Sequence, residues 1–111
     1  MRKITISIFL VAMFLGLYFL TQAEDTINHE RVHKLNCIYH GGKATVSYGW
    51  LYQDGMTTCI TEGLSEEAMI QKDMLDVQNE IISYNIQSVL GSMFVIGFVF
   101  LALFICIWIW D

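Results

Sequence analysis

No proline occurs anywhere in the 111 residues, and cysteine occurs only three times. Without proline, no stretch carries the strongest helix breaker, so long uninterrupted helices are permitted. Three cysteines exclude a disulfide-dense scaffold. No Asn-x-Ser/Thr triplet is present, which excludes N-glycosylation of any exported part. No internal repeat is visible. Basic residues are scarce: Glu24 to Gln87 holds four (Arg31, Lys34, Lys43, Lys72) against ten acidic ones. That balance excludes nucleic acid and an anionic lipid surface as partners, because both reward clustered Lys and Arg. From Ser88 to Trp110 there is no charged residue at all.

Two apolar runs are present instead, and they account for much of the 55% hydrophobic content. The first, Ile4 to Leu20, follows Met1-Arg2-Lys3 and precedes Thr21-Gln22-Ala23. A basic start, an apolar stretch and small residues at a cleavage position read as an export signal over residues 1–23, with Glu24 as the mature N-terminus. An uncleaved anchor is the alternative, since 17 apolar residues stand at the lower limit for a span. The second run, Val89 to Trp110, has 22 residues, enough to cross about 30 Å of hydrocarbon at 1.5 Å per residue. Tyr84 near one end and Trp108 and Trp110 at the other suit the two interfaces. A removable lipid-anchor tail is the competing reading, with Ser83-Tyr84-Asn85 a poor attachment triplet because of its tyrosine. Arg2 and Lys3 stay cytosolic by the positive-inside bias. The expected layout is a type I single-pass membrane protein of the secretory pathway, at the plasma membrane, with its ectodomain outside. The alternative is a two-span hairpin.

Between the runs the pattern changes twice. Ala44, Val46, Tyr48, Trp50 and Tyr52 alternate with Thr45, Ser47, Gly49, Leu51 and Gln53, a period of two that predicts a strand. Asp54-Gly55 reads as a two-residue hairpin turn, Gly41-Gly42 as a second turn. The simplest arrangement is a three-stranded meander of Asn36–His40, Lys43–Gln53 and Met56–Thr61, within a β module spanning 24–64. Its aromatic face (Tyr48, Trp50, Tyr52) is expected to be core, with an exposed binding patch the alternative. From Ser65 the pattern turns helical. Ser65 suits an N-cap, and Glu66 and Glu67 suit the positive end of the helix dipole. Ile70, Met74, Val77, Ile81, Tyr84 and Ser88 follow 4-3-4-3-4 spacing, the seam of a helix packed either on a partner helix or on the protein's own β unit. The flanking Asp73 and Glu80 are both acidic, so homotypic charge pairing is not encoded. A juxtamembrane helix over 65–87 runs on into a transmembrane helix over 88–110. Ser88, Gly91, Ser92, Gly97 and Ala102 supply small residues for close helix contact there.

Cys37 and Cys59 bracket the β module, and in an exported domain two cysteines most often pair. The bond would stabilise by roughly 3.4 kcal/mol in the chain-entropy model. Tight turns would set Cys37 opposite Val46 and Cys59 opposite Trp50, a stagger of about 13 Å along a strand. A bond therefore requires one turn to be longer, or a bulge or strong twist. An intermolecular bond is the alternative. Cys106, inside the second apolar run, reads as a packing residue. The block Cys37-Ile-Tyr39-His-Gly41, Trp50 and Cys59 resembles the fibronectin type I-like modules of small nematode extracellular and cell-migration proteins. More distantly it is similar to the first half of a von Willebrand C module. The resemblance implies an extracellular interaction module without catalytic residues.

One motif points to different chemistry. His29-Glu30-Arg31-Val32-His33 fits H-E-x-x-H, which on a helix sets two imidazoles on one face to hold zinc, with Glu30 as general base. The extended pattern requires glycine and histidine where Asn36 and Tyr39 stand. His40, Glu62, Glu66 and Glu67 are other carriers of a third ligand atom. A solvated polar segment is the reading adopted, with a zinc or hydrolytic ectodomain built on His29 and His33 the alternative. The expectation is an α+β chain: a small disulfide-stapled antiparallel β meander followed by one long juxtamembrane–transmembrane helix. Its expected role is non-enzymatic, as an adhesion module or accessory subunit. Cofactors and small-molecule substrates are not expected. The expected partners are the membrane and either another membrane protein or a second copy of the chain.

Overall fold

The computed structural model describes residues 1–111. The chain is α+β: α1 (Arg2–Tyr39), β1 (Lys43–Tyr48), a 3₁₀ turn (Trp50–Tyr52), β2 (Gly55–Ile60) and α2 (Glu66–Trp110). It divides into two compact units, residues 1–21 with 86–111, and residues 22–85. Each helix contributes one segment to each unit.

The absence of proline has its consequence in α1, which runs unbroken for 38 residues. It continues through Tyr39 and so takes up nearly all of Asn36–His40, the expected first strand. The reason lies in Gly41-Gly42. Gly41 adopts φ +94°, open to glycine and strained for other residues. Its N–H donates to the Ile38 carbonyl (3.0 Å), and the Gly42 N–H donates to that of Cys37 (2.9 Å). These are the two closing bonds of a Schellman helix end. The glycine pair is a helix stop, so the sheet has two strands, not three.

β1 and β2 pair antiparallel, from Lys43↔Ile60 through Ala44↔Cys59 to Tyr48↔Gly55. The expected strand to Gln53 and the two-residue turn at Asp54-Gly55 are both replaced by a six-residue loop, Gly49 to Asp54. The Gly49 N–H closes it on the Asp54 carbonyl at 2.9 Å. The Asp54 carboxylate folds back over Gly49, where a Cβ would stand 1.4 Å from its Oδ1. Leu51 and Tyr52 take positive φ values of 50° and 56°. Trp50 and Tyr52 thereby leave the strand plane. Trp50 is 78% exposed, so the aromatic residues do not form a core.

The longer loop also removes the difficulty with the disulfide. Cys59 stands opposite Ala44, and Cys37 lies in the last turn of α1. The two are bonded, with Cα atoms 5.8 Å apart. The inward face of β2 (Gly55, Thr57, Cys59) lies along α1. The Thr57 hydroxyl donates to the Glu30 carboxylate, and the Thr26 hydroxyl to the Gln53 carbonyl at 3.4 Å. Small residues are required there. A Cβ on Gly42 would meet both cysteine sulfurs at 2.8 Å and the Ile60 carbonyl at 3.0 Å. Gly42→Ala is therefore expected to destabilise residues 22–85 by about 2 kcal/mol, the usual effect of overfilling a packed site. A thermal melt of the purified chain checks this, and an unchanged midpoint would show that the contact yields freely.

α2 begins as the sequence predicts. Ser65 Oγ accepts from the Ala68 N–H at 3.1 Å, with Glu66 and Glu67 in the first turn. The helix then runs 45 residues.

The unit of residues 1–21 and 86–111 is a pair of apolar helical segments. Their contacts run antiparallel: the Lys3 ammonium donates to the Trp108 carbonyl at 3.0 Å, and Phe14 and Tyr18 meet Phe94 edge-on at 5.6 and 5.0 Å. Gly97 leaves room for the Phe14 ring, which a Cβ would meet at 3.2 Å. The hydroxyls of Ser7, Thr21 and Ser92 donate back to carbonyls one turn earlier, which satisfies them within the helix. Both segments are long and apolar enough to cross a membrane, and only 6% and 0% of their most apolar windows is buried. Cys106 is exposed, not packed.

Candidate functional site

Residues 22–85 have an unusual interior. Cys37 is their only buried hydrophobic side chain, whereas Thr26, Glu30, Lys72 and Ser83 are buried polar or charged ones. α1 and α2 meet there through hydrogen bonds. The pattern follows from matching four-residue spacings: His29 and His33 on α1, Asp76 and Glu80 on α2. Residues four apart share a helix face.

The structure brings His29 and His33 together and adds a group the sequence does not single out. His33 Nε2 lies 2.9 Å and His29 Nε2 3.2 Å from one oxygen, Glu80 Oε1. The two Nε2 atoms are 3.2 Å from each other. Both outer nitrogens are also engaged, His33 Nδ1 with Asp76 Oδ1 at 2.8 Å and His29 Nδ1 with Ser83 Oγ at 2.5 Å. The histidine side chains are 16% and 15% exposed, and Glu80 is 42% exposed. One side of the cluster thus faces solvent.

A second network adjoins it. Asp76 accepts from the Lys72 ammonium at 2.7 Å and from the Asn36 amide at 2.8 Å. Asn36 also donates to the Lys72 carbonyl at 3.0 Å. Burial alone would push the Asp76 carboxyl up. Its hydrogen bonds from Lys72, Asn36 and His33 outweigh that and hold it below the ordinary carboxylate range. Lys72 is raised, by its hydrogen bond to Asp76 before all else and against partial burial. For His33, burial acts downward, but the carboxylates of Asp76 and Glu80 prevail and raise it.

Glu30 borders the cluster, its Oε1 4.0 Å from His29 Nε2. It is 6% exposed, and its other carboxylate oxygen accepts from the Thr57 hydroxyl. His40 bonds back to the Asn36 carbonyl at 2.8 Å and stands outside the cluster. Sequence offered one trace of Glu80 as a partner: Lys72, Asp76 and Glu80 form a charged stripe at four-residue spacing, a pattern that ordinarily marks a solvated face.

The helical seam lies on the outside. Ile70, Met74, Val77, Ile81 and Tyr84 are 55–67% exposed, and Ser88 is exposed as well. Packing of this seam on the chain's own hairpin, one of two readings of its spacing, is therefore not what occurs. Tyr48 and Tyr52 meet at a tilt of 59° with ring centres 5.2 Å apart, and Trp50 in the same loop is exposed.

No protein family, no curated protein and no solved structure matches this chain.

Proposed function

We propose that this chain is a non-enzymatic membrane protein of the secretory pathway that acts as an interaction module, an accessory subunit docked on another membrane protein. The observation that carries this reading is the outward seam of Ile70, Met74, Val77, Ile81 and Tyr84, with five large apolar side chains at packing spacing and no partner within the chain. A monomeric soluble surface rarely leaves such a stripe uncovered. The same helix continues without a break into the apolar segment, so a partner on the seam is reached from within the same membrane. Acidic flanks and the excess of acidic residues between Glu24 and Gln87 favour a different protein over a second copy, because like charges oppose self-pairing. The burial of Glu30 and the hydrogen bond from Thr57 to one of its oxygens support the non-enzymatic reading over hydrolysis.

In this reading both apolar segments cross the bilayer as a hairpin and leave residues 22–85 outside. The contacts of Phe14 and Tyr18 on Phe94 support retention of the N-terminal segment. Cleavage after Ala23, which yields a type I single-pass chain, is the other outcome.

Photo-crosslinkers at Met74 and Val77, with Thr45 on the exposed side of β1 as control, test the reading in native membranes. The expected product is a discrete adduct with a larger membrane protein from the two seam positions and none from Thr45. Adducts of the chain with itself alone would make it a homo-oligomer. Equal labelling from all three positions would sink the seam as an interface. The intact mass in the same experiment separates a start at Met1 from one at Glu24.

A further inference from the structure

We infer that His29 Nε2, His33 Nε2 and Glu80 Oε1 form a binding site for a divalent transition-metal ion of the zinc class, which clamps α1 to α2 within residues 22–85. The proposal rests on geometry that stands apart from the seam.

Three electron-rich atoms converge on one point. Asp76 is acceptor-only as a carboxylate, so the His33 proton sits on Nδ1 and the Nε2 lone pair turns inward. The Ser83 hydroxyl engages His29 on Nδ1, and where it acts as acceptor the His29 Nε2 lone pair also turns inward. Glu80 Oε1 completes the triangle, with edges of 3.2, 3.2 and 2.9 Å. With both Nε2 atoms unprotonated the triangle repels itself, and a cation at its centre removes that repulsion as a proton shared with Glu80 does otherwise. A tetrahedral ion with bonds of about 2.0–2.1 Å needs ligand atoms about 3.3 Å apart, so the three atoms are within a few tenths of an ångström of position. The outer partners suit metal histidines: the Asp76 carboxylate orients the His33 ring and fixes its tautomer, and the Ser83 hydroxyl holds the His29 ring in place. Two imidazoles and one carboxylate suit zinc among divalent ions, and exclude calcium and magnesium, which take oxygen ligands. Glu80 is 42% exposed, which leaves the solvent side of the cluster open to a further ligand such as water.

The role is structural. The carboxylate that would serve as base in an H-E-x-x-H hydrolase has one oxygen bonded to Thr57 on the hairpin and the other 4.0 Å from His29 Nε2, so it is tied in place between hairpin and cluster. A clamp also answers a need of this unit, whose only buried hydrophobic side chain is Cys37. Small domains with so little core require staples, and a metal between the helices adds a second one to the disulfide.

The test uses the full chain, purified in detergent with a tag free of histidine. Zinc ion is titrated in competition with a chromophoric chelator, and cobalt ion replaces it for visible spectroscopy. The expected result is one zinc per chain and the visible absorption of four-coordinate cobalt. Glu80→Gln lies far from the sequence motif and keeps the side-chain shape. It is expected to weaken zinc binding at least about tenfold, and Asp76→Asn about as much by releasing the His33 ring. Zinc should raise the melting midpoint of the native chain and not that of Glu80→Gln. Undiminished zinc affinity in Glu80→Gln would overturn the proposal and leave adventitious binding by two histidines. Should the variants fail to fold, a native chain that takes no stoichiometric cobalt, or takes it in octahedral form, overturns it equally.

Discussion

Cys59→Ser is expected to open residues 22–85, with backbone amides of the hairpin exchanging with solvent roughly 300-fold faster than in the native chain. That factor is the chain-entropy contribution of the bond, about 3.4 kcal/mol for a loop of this length, at about 1.36 kcal/mol per factor of ten. Little else is available to replace it. Cys37 is fully buried, and no other hydrophobic side chain of the chain is. β1 and β2 form a two-stranded sheet, which is marginal in water unless held against something else. The bond is what fastens β2 to the end of α1, 22 residues away in sequence. Hydrogen exchange by mass spectrometry on the purified chain reads the effect directly. Unchanged protection of β1 and β2 would show that the Thr26, Glu30 and Thr57 contacts suffice to dock the hairpin.

Asp76→Ala is expected to cost about 2–3 kcal/mol, the largest effect of any single polar substitution here. Asp76 accepts from Lys72, Asn36 and His33, on both helices. Hydrogen bonds to a charged group are worth about 1.5–3 kcal/mol when buried, and removal also strands the Lys72 ammonium, whose side chain is only 11% exposed. The figure is kept below the sum of the three because Asp76 itself is 25% exposed and partly screened by water. Asp73→Ala provides the contrast. Asp73 also contacts Lys72, at 3.3 Å, but its side chain is 70% exposed, and its loss is expected to cost under about 0.5 kcal/mol. Thermal melts of the two variants decide the matter. Equal losses would mean that partial burial gives the network no advantage over an ordinary surface pair.

Both predictions concern a unit whose interior is polar, and this explains where sequence reasoning reached the fold and where it did not. The helical stretch from Ser65, its cap, the central strand from Lys43 and the pairing of Cys37 with Cys59 were all legible, because each is encoded in local pattern or in the scarcity of cysteine. The strand expected at Asn36–His40 and the turn expected at Asp54-Gly55 were misread for one reason. Gly-Gly and Asp-Gly each serve more than one backbone geometry, and the choice depends on what lies beyond the pair. At Gly41 the choice was made by the long helix behind it. At Gly55 it was made by Glu30 and Thr26, which leave a Cβ no space, at 2.7 and 3.3 Å. The two histidines were visible as a motif, yet the motif names a carboxylate that the fold has bonded to Thr57 and omits Glu80, the one it has set against both rings.

The sequence by itself determined the two apolar runs, the acidic middle, the single disulfide and the apolar seam, since these depend on composition and on spacing along one element. Only the tertiary structure decided that the seam faces outward and that Glu80 joins His29 and His33. Those outcomes depend on the register between two helices brought alongside each other, and that register is set by matching polar partners on separate elements, which no pattern within either helix contains.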